Sequence, residues 1–132
     1  MRTYQLLAAI GFACLATQAQ AQIVVIANPA GGPLTKEQVA DLFLGKSQGL
    51  TPVDQLESSA IYADFYKKAA GREVAQVKST WSRIIFSGKG QAPHQLPDSA
   101  AVKKAVAADP KAVGYIEKSA VDGTVKAVLT LD

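Results

Sequence analysis

The sequence predicts an α/β domain in three layers, a mainly parallel sheet covered by helices. Three observations lead there. Short β-branched runs alternate with segments whose apolar residues recur at helical spacing. The helical segments open on capping residues and close on glycine or an Asp-Pro pair. The alternation continues without an internal repeat or a low-complexity stretch.

Residues 1–21 read as a secretory signal. Arg2 supplies the positive start, Leu6 to Ala16 the apolar stretch, and Ala19-Gln20-Ala21 the small-x-small site after which cleavage is expected. The apolar stretch falls short of the roughly 20 residues that span a bilayer, so the product, residues 22–132, is expected to be one soluble domain in the periplasm with no membrane insertion. Cys14 lies inside this stretch, and Gly11 stands where a lipidated cysteine calls for leucine, which disfavours a lipid anchor. Cleavage removes that single cysteine and leaves 13 basic against 11 acidic residues. A charge of this size gives no argument for nucleic acid.

The mature chain opens on an apolar strand, Ile23 to Ala27, that stops at Asn28-Pro29. Thr35 and Gln38 form a capping box for a helix from Lys36 to about Leu44, Leu34 can staple onto Val39, and Gly45 occupies the left-handed position after it. Thr51 to Gln55 is a short strand that leads into Glu57-Ser58-Ser59. A second helix follows on Ile61, Tyr62, Phe65, Tyr66 and Ala69, up to Gly71. Val74, Val77, Trp81, Ile84 and Ile85 mark a third, from about Glu73 to Phe86, ended by Ser87-Gly88-Lys89-Gly90. Pro93 and Pro97 keep the next stretch irregular. Asp98 or Ser99 caps a fourth helix that buries Val102, Ala105 and Val106, Val113 to Glu117 is a strand, and Val121-Asp122-Gly123 a turn. From Val125 to Leu131 the residues alternate as in a strand with two unlike faces.

Little of the chemistry an enzyme needs is present, and no catalytic residue, metal ligand or cofactor is expected. His94 is the sole histidine, placed between prolines in a loop and without a cysteine to share a metal. Asp54 and Glu57 read as solvated surface acids. Ser58 and Ser59 lack the flanking glycines of a nucleophile elbow. At a strand-to-helix turn they have two readings: they cap the helix, or Ser58, Ser59, Ala60 and Ile61 form an anion cradle from free N–H groups, a hydroxyl and the positive end of the helix dipole. Gly88, Lys89 and Gly90 are a secondary anion-binding candidate, in which glycines let N–H groups converge beside a positive charge; the other reading is a helix-ending loop with an exposed lysine. Trp81, Tyr62, Phe65 and Tyr66 are assigned to packing.

The run Leu34-Thr35-Lys36-Glu37-Gln38-Val39-Ala40-Asp41-Leu42-Phe43-Leu44-Gly45-Lys46, the Ser58-Ser59 turn, Gly88-Lys89-Gly90 and Ala112-Val113-Gly114-Tyr115-Ile116-Glu117 occur in the order seen in phosphate ABC transporter substrate-binding proteins. Over roughly residues 23 to 120 the chain resembles the second lobe of that family's two-lobed receptors, a PBP-like domain. The resemblance implies one lobe of a type II periplasmic binding fold and a short, single-lobe member. In the family this lobe carries Arg-x-Asp-Gly-Ser-Gly-Thr, and the matching positions here are Gln55-Leu56-Glu57-Ser58-Ser59-Ala60-Ile61. Ser59 is retained and Glu57 keeps the charge. Gln55 replaces the arginine that grips phosphate with two parallel bonds.

The function expected from this is a periplasmic solute-binding domain that holds phosphate or another small oxyanion weakly at Ser58, Ser59, Ala60 and Ile61, beside Gln55. One open lobe encloses little of a small ligand, and a homodimer with facing helix N-termini would enclose more. The alternative is a lobe that has lost its ligand and docks on an ABC transporter or another envelope protein.

Overall fold

The computed structural model describes residues 22–132, so the expected secretory signal, the expected cleavage after Ala21 and Cys14 lie outside the described residues. Five strands and four helices follow in the order β1 (Ile23–Ala27), α1 (Lys36–Phe43), β2 (Thr51–Gln55), α2 (Ala60–Ala70), α3 (Val74–Phe86), β3 (His94–Leu96), α4 (Ser99–Ala108), β4 (Ala112–Glu117) and β5 (Lys126–Leu131). The strands form one sheet in the order β3-β2-β4-β1-β5. β2 pairs in parallel with β3 and β4, while β1 is antiparallel to both β4 and β5. Four of the five strands therefore run in one direction, and β1 alone runs against them.

Side chains that alternate along the central strands divide the core in two. On one face Val25, Val113 and Tyr115 meet Val39 and Phe43 of α1, Phe65 and Tyr66 of α2, and Val77 and Trp81 of α3. On the other, Val24, Ile26, Val53 and Ile116 meet Val102 and Val106 of α4. The result is the expected three-layer α/β lobe. β1 is buried along its whole length because both its faces are covered and both its edges paired. α4 packs hard on β4 at Gly114, where an added Cβ would stand 2.5 Å from a Val102 methyl.

The local signals account for the helix ends. Thr35 and Gln38 form the capping box of α1, with Gln38 N–H donating to Thr35 Oγ1 at 3.1 Å and Thr35 N–H to Gln38 Oε1 at 2.8 Å. Gly45 is left-handed (φ 79°), and Lys46 N–H closes onto Asp41 O at 2.8 Å. Asp98, rather than Ser99, caps α4. Leu34 packs against the cluster that holds Val39, as a staple would.

Two expectations are corrected. The stretch between Pro93 and Pro97 is not irregular: His94–Leu96 is a strand, with His94 opposite Val53. It lies at the sheet edge, where flanking prolines are tolerated because only one side needs donors. β5 does not keep a simple alternation, because the register slips between Val25 and Ile26, leaving Val128 as an extra residue. Such a bulge turns the following side chains over, and Val128 and Leu129 both pack on the larger core cluster. Among the described residues no helix is long and apolar enough to cross a membrane.

Candidate functional site at the serine turn

Leu56 to Ser59 carries the chain from the end of β2 to the start of α2. Ser59 is the N-cap: its Oγ accepts from Tyr62 N–H at 3.3 Å and donates to Leu56 O at 2.6 Å. Its backbone N–H also goes to Leu56 O, at 2.9 Å. The hydroxyl is thus engaged in capping. Among the described residues no acceptor meets the N–H groups of Ala60 and Ile61, the first two of the helix. They remain open beside the positive end of an 11-residue helix. Ser58 is exposed on the same turn.

Gln55, expected beside the anion cradle, points inward. It is 3% exposed, and its Nε2 donates to Tyr115 O and to Ser99 Oγ, both at 3.0 Å. The amide ties β2 to β4 and to the first turn of α4. The end of β2 that leads into the turn is therefore tied down, and the Gln55 side chain is held in bonds to the protein.

Asp54 is not a solvated acid. It is 2% exposed, and its carboxyl accepts from Tyr115 OH at 2.7 Å and Tyr66 OH at 2.8 Å. Burial raises its pKa to about 7, against the lowering effect of the two phenols. Burial, with the nearby carboxylate, holds both phenols well above their ordinary range, so they stay donors. The clue in the sequence is the choice of tyrosine over phenylalanine at two core positions, since a buried phenol calls for a partner. Nothing in the spacing names that partner, because Asp54 and Tyr115 meet only when β2 pairs with β4.

A small cavity of about 170 Å³ opens beside the turn, with Asp54, Glu57, Tyr62 and Lys78 among its walls. Glu57 pairs with Lys78 at 3.6 Å in an exposed ion pair, which is worth little in water. Glu57 N–H donates to Gln95 Oε1 at 3.3 Å, so β3 helps to hold the turn. An anion at the α2 N-terminus would feel the favourable dipole and two unfavourable carboxyls, one of them neutral below about pH 7.

The other candidate, Gly88-Lys89-Gly90, lies elsewhere. Gly88 N–H donates to Ile85 O at 3.0 Å and Lys89 N–H to Ile84 O at 3.2 Å, with Gly88 left-handed at φ 72°. These two N–H groups close the end of α3 and do not converge into a nest. Lys89 and Gly90 line a groove on the other side of Trp81 from the serine turn. The two sequence candidates are separate places. His94 is exposed on β3, and among the described residues no three His, Cys, Asp or Glu side chains group to hold a metal.

No protein-family model matches the chain, and no curated protein does. Solved structures match clearly in fold. An ABC-type phosphate transport receptor from Vibrio cholerae superposes with a TM-score of 0.63 at 24% identity, over 81% of this chain and 45% of the receptor. A protein assigned as a phosphate ABC transporter substrate-binding protein from Clostridium perfringens, solved with phosphate bound, gives 0.60 at 21%, over 81% and 44%. PstS from Borrelia burgdorferi gives 0.53 at 15%, over 74% and 40%. The chain spans less than half the length of each of these proteins. Across that length it has the fold that phosphate-transport receptors use.

Proposed function

We propose that this chain is a solute-binding lobe of the phosphate-binding lineage, exported by cleavage after Ala21, that holds a small oxyanion weakly at the N-terminus of α2. One observation carries the reading: a lobe with the fold of phosphate receptors keeps two open N–H groups, Ala60 and Ile61, at a helix start directly after a central strand. Weak binding follows from the rest of the site. Gln55 replaces a charged fork and is held internally, Ser59 Oγ is engaged in capping, and Glu57 repels an anion. Two copies with facing α2 N-termini would double the donors and exclude water.

The internal commitment of Gln55 and Ser59 also favours the second reading, a lobe without a ligand that docks on an envelope protein. Isothermal titration of the purified protein with phosphate and with sulfate separates the two. Ala60→Pro is the decisive variant, because proline suits the first helical position, Ser59 is already extended (φ −83°, ψ 149°), and a single N–H donor is lost with little strain. Saturable binding that weakens severalfold in Ala60→Pro supports the oxyanion site. Binding unchanged in the variant places the ligand elsewhere, and no heat at millimolar anion leaves the docking module.

A further inference from the structure

A second cleft lies on the other side of α3 from the serine turn, and its charge is of opposite character. It is an open cleft of about 480 Å³ between the end of α1, the start of the α2–α3 connection and the last turns of α3. Lys46, Arg72, Arg83 and Lys89 line it, together with the hydroxyl-bearing Thr80 and Ser87, over Leu44 and Ile84. No acidic residue lines this space. Among the described residues the ion pairs are Lys78 with Glu57 and Lys103 with Asp122, so none of the four cations has a carboxylate partner.

The way the cations arrive is regular. Lys46, Arg72 and Lys89 each follow a left-handed glycine, Gly45, Gly71 and Gly88, at the end of α1, α2 and α3. A cation at a helix end also complements the dipole, which explains each position singly. It does not explain why three helix ends and Arg83 converge on one space. The carbonyls that would repel an anion there are partly occupied: Asp41 O and Leu42 O accept from Lys46 and Gly45 N–H, and Ile84 O and Ile85 O from Lys89 and Gly88 N–H.

We infer that this cleft binds a small organic molecule with two or more anionic groups, such as a sugar bisphosphate. The volume is in the range of small-molecule sites and exceeds what one tetrahedral oxyanion fills. Two guanidinium forks suit phosphate or carboxylate oxygens, Thr80 offers a further donor, and Leu44 and Ile84 give an apolar floor for the carbon skeleton. The cluster of unpaired like charges relaxes when the anion enters. This inference stands apart from the oxyanion reading of the serine turn, since the two sites share no lining residue.

The test is titration of the protein with fructose 1,6-bisphosphate, with orthophosphate and a heptaglutamate peptide as comparisons. Saturable binding of the bisphosphate is expected, tighter than that of orthophosphate and weakened by added salt. Arg83→Ala with Lys89→Ala should weaken it roughly tenfold, whereas Lys104→Ala with Lys111→Ala, which removes equal charge elsewhere, and Ala60→Pro should leave it unchanged. Arg83 and Lys89 are exposed, and matching thermal melts verify that the variants fold. Absence of bisphosphate binding, equal loss in both double variants, or saturable binding of the peptide alone would overturn the inference, the last in favour of an acidic protein segment.

Discussion

The buried Asp54 makes the stability of this lobe depend on pH, and Asp54→Asn isolates the effect. The carboxyl titrates near 3.8 when unfolded and at about 7 in the fold, because burial opposes its charge more than the two phenols support it. Between those values the folded state binds the proton and the unfolded state does not, so stability falls as pH rises. At about 1.4 kcal/mol per pH unit, the interval corresponds to on the order of 4 kcal/mol, fully present below about pH 4 and gone above about pH 7. Against a typical domain stability of roughly 5–15 kcal/mol that is a large share. Asparagine mimics the protonated acid: its oxygen accepts from one phenol, and its amide can donate to the other after a hydroxyl rotation. Urea unfolding of both proteins from about pH 4 to pH 8, at constant ionic strength, gives the difference, in which all other titrating groups cancel. The wild type should lose ground to the variant from about pH 4 to about pH 7, and the difference should level off above that. A difference independent of pH, or one in which the wild type gains as pH rises, would refute the assignment of a raised pKa to Asp54.

Other substitutions probe how the layers are held. Gly114→Ala places a methyl against Val102, a stiff β-branched side chain on α4, and should cost about 2 kcal/mol; adding Val102→Ala should recover part of that loss, which denaturant midpoints would show. Asn28→Ala removes the donor to Val106 O and Ala107 O, both at 3.1 Å, at the end of α4. The loss should be about 1–3 kcal/mol, with faster hydrogen exchange at the α4 C-terminus than elsewhere. Sulfate, whose charge is constant across neutral pH, should bind the serine turn better as pH falls through about 7 and Asp54 becomes neutral; a flat titration in that range would separate Asp54 from the site.

The asymmetry of the serine turn bears on what this lobe does. Its donors are backbone groups fixed by α2, while the side chains that would add selectivity face inward or carry the wrong charge. Gln55 shows this best. Its amide is a buried clamp between β2, β4 and α4.

What the sequence by itself determined was local. Capping chemistry at Thr35, Ser59 and Asp98, glycines 45, 71 and 88 in left-handed turns, and apolar periodicity set most of the helices and strands within a residue or two, because those signals act over a few neighbouring residues. The tertiary structure decided everything that depended on pairing across the chain. The edge strand at His94 exists because β2 offers it a partner, and β5 bulges because Val25 and Ile26 register it. Asp54 is buried because α2 and β4 bring Tyr66 and Tyr115 over it from 12 and 61 residues away. Lys46, Arg72, Arg83 and Lys89 form one basic cleft only because three helix ends converge. Their spacing along the chain carries no periodic signal, since charge at a distance in sequence becomes charge in one place only through packing.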